Sequence, residues 1–190
     1  VNSLDYETAT SHTLTLNASD GANTTTSKLI ITVDDVNEAP SLTNALAASS
    51  FGENVSTGTT IATASASDPE SQSITYSLSG SGSGNFAVDS SGNITLAAGL
   101  DYETATSYSL TLSASDGVNT TTNTLAISIS DVNEAPSLSN ALAASSFAEN
   151  VATGTTIATA SASDPEAQSI TYSLSGTGSE KFSVDSAGNI

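Results

Sequence analysis

The chain of 190 residues has no cysteine, methionine or tryptophan, one histidine, and two basic side chains against 20 Asp and Glu. Without cysteine there are no disulfides, thiolate metal sites or thiol nucleophiles. A single imidazole, His12, leaves little room for histidine acid–base chemistry or a histidine-rich metal site. At a formal net charge of −18 the chain lacks the clustered Lys and Arg that phosphate neutralisation needs, which excludes most nucleic-acid and anionic-ligand functions. No apolar run approaches the roughly 18 residues of a membrane span. No signal-peptide pattern opens the chain, so Val1 reads as an internal cut.

What is present is Ser and Thr, roughly a third of the chain, and repetition. Leu4–Ser11 (LDYETATS) returns at Leu100–Ser107, Asp35–Leu42 (DVNEAPSL) at Asp131–Leu138, and Thr57–Glu70 (TGTTIATASASDPE) at Thr153–Glu166. Every pair is offset by about 96 residues, the size of a small domain rather than of a solenoid unit. With the proline-bearing DVNEAP segments as junctions, the chain divides into the C-terminal part of one repeat (1–40), a complete repeat (41–136) and the N-terminal part of a third (137–190). A window from a longer tandem array is the expected origin.

Within the repeat the apolar period is two. Ile74, Tyr76 and Leu78 alternate with Thr and Ser, as do Tyr108, Leu110, Leu112 and Ala114, and Leu125, Ile127 and Ile129. Turn signals separate the runs at Gly80–Gly84, Asp89–Asn93 and Asp116-Gly117. The pattern predicts strands over 44–52, 59–66, 73–79, 85–88, 93–97, 106–115 and 121–130, and no helix. Seven short strands in under 100 residues predict an all-β fold of tandem Greek-key β-sandwiches.

The acids are not spread as a coat. Sixteen of the 20 fall in five recurring motifs: Asp-Tyr-Glu, Asp-Gly, Asp-Val-Asn-Glu, Phe-x-Glu-Asn and Asp-Pro-Glu. If these segments are extended, residues i and i+2 point the same way, which pairs Asp5 with Glu7, Asp101 with Glu103, Asp68 with Glu70, and Asp35 with Asn37. Like charges so close repel unless a cation joins them. With almost no Lys or Arg, an inorganic cation is the natural partner, and oxygen-only ligands in flexible geometry favour calcium over magnesium. Asp89 and Asp185 precede glycine and are expected to start turns. Asp34 reads as surface and His12 as an ordinary strand side chain. The Gly80–Gly84 stretch reads as a loop, since no helix follows it. Paired carboxylates can hydrolyse glycosides, but these recur without aromatic subsites, and no enzymatic activity is expected.

In this arrangement the chain resembles cadherin repeats. Leu4-Asp5-Tyr6-Glu7 is similar to their LDRE motif, DVNEAP to their DxNDNxP linker, Phe51-Gly52-Glu53-Asn54 to the first-strand glutamate motif, Asp68-Pro69-Glu70 to DxD, and Ala18-Ser19-Asp20-Gly21 to the late acidic motif. The Ser/Thr-rich, cysteine-free style most resembles the cadherin-like arrays of large bacterial surface adhesins. The resemblance implies Ca2+ at each junction. The implied ligands are Asp5, Glu7, Asp35, Asn37, Glu38, Asp68, Glu70 and Asp116 at the first junction. At the second they are Glu53, Asp101, Glu103, Asp131, Asn133, Glu134, Asp164 and Glu166. Asp20 and Glu149 would serve junctions off the chain. The linker is one residue shorter than in the family, DxD has become Asp-Pro-Glu, and the first aspartate of the late motif is Asn17 or Ser113, so two or three ions per junction fit the pattern.

The expected function is therefore a calcium-stiffened extender of a secreted or cell-surface adhesin or fibre, outside the cell. The expected partners are calcium, neighbouring repeats of the same chain and other copies of the protein. The alternatives are a binding module for homophilic or carbohydrate adhesion, and a fibre subunit whose end segments complete each other between chains.

Overall fold

Alternating apolar and small polar residues become strands where two such runs can pair. The computed structural model describes residues 3–43, 49–139 and 146–190. It holds two compact units, Val1–Leu100 with Ala105–Ser130, and Asp101–Thr104 with Asp131–Ile190.

The first unit begins with an antiparallel hairpin of β1 (Ser11–Ser19) and β2 (Thr24–Thr32), paired from Ser11–Thr32 to Ser19–Thr24. Nine strands follow: β3 (Ser41–Thr43), β4 (Ser49–Gly52), β5 (Thr60–Thr63), β6 (Ser65–Ser67), β7 (Thr75–Ser79), β8 (Phe86–Val88), β9 (Asn93–Leu96), β10 (Ser107–Ser115) and β11 (Thr120–Ser130). One sheet runs β4-β11-β10-β7, with β4 parallel to β11 and the other pairs antiparallel. Strands β5-β9-β8 and the pair β3-β6 supply the opposite layer, giving the expected all-β sandwich.

The period of two decides what lies inside. Leu110, Leu112, Ala114, Leu125, Ile127 and Ile129 from β10 and β11 are buried, as are Ile61, Phe86, Ile94 and Leu96 from the other layer. Each such aliphatic side chain contributes about 1.5–3 kcal/mol when fully buried. The rings of Phe86 and Tyr108 meet edge to face at 5.2 Å, and Asn85 Nδ2 donates to the Tyr108 hydroxyl at 3.0 Å. Asp89 starts its turn as expected, accepting from the backbone N–H of Ser91 at 2.9 Å and of Asn93 at 2.8 Å.

One predicted strand is divided. Of the run over 44–52, residues 49–52 form β4 and residues 44–48 lie outside the described residues, while β3 precedes the predicted run. The run over 59–66 breaks at Ala64, because β5 pairs with β9 while β6 pairs with β3. Ala64 N–H instead donates to the Gly92 carbonyl at 2.8 Å. Gly80–Gly84 leads into a single 3-10 turn, Ser83–Asn85. No described helix is long and apolar enough to cross a membrane.

Hairpin β1–β2 is the repeat counterpart of β10–β11 but is bare. Leu14, Leu16, Leu29 and Ile31 are 50, 68, 53 and 37 % exposed, where Leu110, Leu112, Leu125 and Ile127 are at most 2 % exposed. The second unit carries the short pair β12 (Ser137–Leu138) and β13 (Ala162–Ser163), a bridge between Thr159 and Asn189, and a 3-10 turn at Ser179–Lys181.

Candidate metal centre

Linkers and turns bring together acids that are far apart in sequence. In the first unit, one carboxylate oxygen from each of Glu7, Glu38 and Glu70 lies within 4.8 Å of the other two. Glu7 comes from the turn before β1, Glu38 from the linker after β2, and Glu70 from the Asp-Pro-Glu turn between β6 and β7. In the second unit, Glu103, Asp131 and Glu166 converge within the same distance. Glu103 and Glu166 stand one period after Glu7 and Glu70. Glu134, the counterpart of Glu38, donates its backbone N–H to Glu166 Oε1 at 3.2 Å.

The aspartates of these motifs do something the i, i+2 argument missed. Asp-Tyr-Glu and Asp-Pro-Glu are turns, not extended strands. Asp5 Oδ1 accepts from Thr8 N–H at 2.9 Å, and Asp101 Oδ1 from Thr104 N–H at 2.9 Å. Asp68 Oδ1 accepts from Gln72 N–H and Asp164 Oδ1 from Gln168 N–H, both at 3.0 Å. An Asp side chain that bonds the backbone three or four residues ahead competes with the extended form and wins here. The Thr8 N–H accordingly holds the Asp5 carboxyl below its usual range. Asp35 is exposed and lies outside the first convergence.

Asp116 sits at the β10–β11 turn and meets the linker, accepting from Asn37 Nδ2 at 2.8 Å and from the backbone N–H of Val118 and Asn119 at 2.6 Å each. Desolvation pushes its carboxyl up, but these donors outweigh it and leave the net shift downward. Asn133 Nδ2 donates to the Glu134 carbonyl at 3.0 Å, as Asn37 Nδ2 does to the Glu38 carbonyl. Glu53 follows β4, is 6 % exposed, and donates its backbone N–H to the Ser130 carbonyl at 3.2 Å.

Several oxygens of the converging glutamates and of the neighbouring Asp68 are shut off from water without a donor. Asp68 Oδ2, both carboxylate oxygens of Glu70, and Glu166 Oε2 are buried atoms with no hydrogen-bond partner. Two ionised carboxylates only accept, so oxygens facing each other need a proton or a cation between them. With both ionised, Glu70 has no donor; a proton on Glu38 supplies one. That hydrogen bond, then desolvation and the charges of Glu70 and Glu7, pushes Glu38 up to about 7. The same bond pulls Glu70 below its ordinary range, and Glu134 does so for Glu166. The donor set is carboxylate, amide and backbone oxygen alone, which fits a hard cation such as calcium.

The ligand sets implied by the sequence include none of Gln72, Gln168, Asn119 and Thr121. Gln72 and Gln168 contact the linker asparagines Asn37 and Asn133, and Asn119 Nδ2 donates to the Asn37 carbonyl at 3.0 Å. The available signal was repetition: glutamine holds its place across the period while Ser71 becomes Ala167.

Residues 48–130 match the family model of the cadherin domain. Human protocadherin gamma-A2 is 30% identical over 188 residues, covering 92% of this chain and 20% of the protocadherin. Human cadherin-23 is 31% identical over 195 residues, covering 96% of this chain and 6% of cadherin-23. The chain thus spans about a fifth or less of these relatives. Among solved structures, mouse cadherin-23 EC22–24 superposes with a TM-score of 0.57 at 28% identity, covering 99% of this chain and 65% of that one. The acidic turns, the proline-bearing linker and the sandwich they flank have one common counterpart: residues 48–130 match the cadherin domain, and the segment is extracellular or at the cell surface.

Proposed function

We propose that this segment is a calcium-stiffened extender of a surface adhesin, built from the repeats 1–40, 41–136 and 137–190. The observation that carries this reading is the set of buried, donor-free oxygens on Asp68, Glu70 and Glu166 in a chain with only two basic side chains. A calcium ion supplies the positive charge that the chain withholds. The first junction draws on Asp5, Glu7, Asp35, Asn37, Glu38, Asp68, Glu70 and Asp116. The second draws on Glu53, Asp101, Glu103, Asp131, Asn133, Glu134, Asp164 and Glu166. Without the ion, repulsion among these acids lets successive sandwiches hinge; with it, the short linker is locked. Extracellular modules hold calcium at about 0.1–1 mM, so outside concentrations load the sites. The Ser/Thr-rich, cysteine-free composition supports a bacterial surface array as the setting.

Small-angle scattering in calcium and in chelator tests the reading. The maximum dimension should fall, and the ensemble broaden, when calcium is removed. Identical scattering in both conditions removes the stiffening role.

A second reading, a fibre subunit, is favoured by the bare apolar face of β1–β2, whose repeat counterpart is a core face. The occupant would be the 137–190 segment of another copy. Assembly that grows with protein concentration supports it, and a strictly monomeric protein at millimolar concentration removes it.

A further inference from the structure

Gln72 and Gln168 each come two residues after the glutamate of an Asp-Pro-Glu turn. Each directs its Nε2 onto the side-chain oxygen of the linker asparagine 35 residues earlier, Gln72 onto Asn37 Oδ1 and Gln168 onto Asn133 Oδ1. The two turns share one unusual backbone. Ser71 N–H donates to the Asp68 carbonyl and Ala167 N–H to the Asp164 carbonyl, both at 3.1 Å. Ser71 (φ 61°) and Ala167 (φ 57°) are the non-glycine residues with positive φ among those described. A side chain is disfavoured there, and such a conformation persists only where its surroundings hold it. The strained residue changes from Ser to Ala between repeats, while the glutamine that it aims stays.

The first linker has further attachments. Asn37 Nδ2 reaches Asp116 Oδ2 at 2.8 Å, Asn119 Nδ2 reaches the Asn37 carbonyl at 3.0 Å, and Thr121 Oγ1 donates to the Pro40 carbonyl at 2.5 Å. All of these bonds join the linker to the sandwich that follows it, and none uses a cation.

Resting on the calcium reading above, we infer that Gln72 and Gln168 are positioning residues that latch the linker asparagine to the following sandwich, so that half of each metal site is assembled before the ion arrives. The ion then has to recruit only the preceding turn, Asp5 to Glu7 or Asp101 to Glu103. Preassembly removes an ordering cost from binding. The freedom gained on calcium removal lies upstream of Asn37, not between Asn37 and Pro40. The role belongs to the amide as a donor, not to the glutamine oxygen as a ligand.

The test uses the 190-residue chain with both glutamines changed together, to alanine in one variant and to glutamate in the other. Calcium titration by calorimetry is paired with NMR of the wild-type Gln72 and Gln168 side-chain NH2 groups in chelator. Gln→Ala should weaken calcium binding about tenfold, the scale of lost outer-shell partners in metal sites, with circular dichroism unchanged. In the wild-type chain the glutamine NH2 protons, which donate the latch bond, should be protected from exchange in chelator, and free-amide exchange overturns the latch. Gln→Glu separates donor from ligand: it adds negative charge but cannot donate, so it should weaken binding, and tighter binding overturns the latch. Wild-type calcium affinity in the alanine variant overturns it as well. If the wild-type chain binds no calcium, the stiffening reading fails, and the NH2 signals in chelator still decide the latch.

Discussion

Glu38 and Glu70 meet carboxyl to carboxyl, one on the linker and one in the turn between β6 and β7, and hydrogen bonding to Glu70 pushes Glu38 up to about 7 while Glu70 is pulled down. On the calcium reading, a proton on Glu38 and a metal ion compete to be the positive charge between these acceptors. That competition gives the chain a pH response in the physiological range.

In chelator, the folded form keeps a proton on Glu38 that the unfolded chain releases near the ordinary value of 4.5. A raised folded pKa contributes stability that is complete below the unfolded value and is lost as pH rises through the folded one. Melting temperature in chelator should therefore decline between about pH 4.5 and 7 and level off above it. Saturating calcium should flatten the decline, and calcium affinity should rise over the same interval. Glu38→Gln should lose the slope in chelator; a slope equal to the wild type would assign it to other groups.

Above the Glu38 pKa, where Glu38 is ionised, Glu70→Gln replaces two acceptors that have no donor with an amide that can donate to Glu38. Two effects of opposite sign are expected. The melting temperature in chelator should rise by a few degrees, and calcium affinity at the first junction should fall about tenfold or more, since ligand charge sets affinity in such sites. Calorimetric titration beside thermal melts in chelator reads both. A variant that loses stability in chelator above pH 7 would contradict the assignment of Glu70 as an acceptor without a donor once Glu38 is ionised.

Leu112 and Leu16 occupy the same place in successive repeats but are 0 % and 68 % exposed. Leu112→Ala should cost about 2–5 kcal/mol in urea unfolding, the range for a leucine cavity. Leu16→Ala should change stability by less than about 0.5 kcal/mol. Comparable losses at both positions would mean that the hairpin face is covered in solution.

Gly92 has φ 81°, and a Cβ there would run into the Ala64 carbonyl oxygen, a backbone atom that cannot swing aside. Gly92→Ala should destabilise the first unit by about 1–3 kcal/mol through strain and displacement of the Ala64 backbone. Gly21→Ala, at φ 94° but with open space around its Cβ position, should cost less. Urea midpoints of the two variants provide the check.

Much of the fold was readable from local features. Period-two alternation marked β7 to β11 nearly to the residue, because which face a side chain takes in a strand depends only on its parity. Asp89 ahead of glycine marked its turn for an equally local reason. Strand β3, the break at Ala64 and the parallel pairing of β4 with β11 were not readable, because each depends on which distant strand offers a partner edge.

The sequence by itself determined that this is a repeated, all-β, acid-rich chain whose carboxylates gather in five motifs, since repetition, parity and composition are written along the chain. Only the tertiary structure decided which acids converge. Glu7, Glu38 and Glu70 face one another, while Asp5 turns back to its own backbone and Asp68 gives one oxygen to Gln72 N–H. Spacing fixes where a side chain starts; the turn closed by an aspartate and the contact between linker and sandwich fix where it ends.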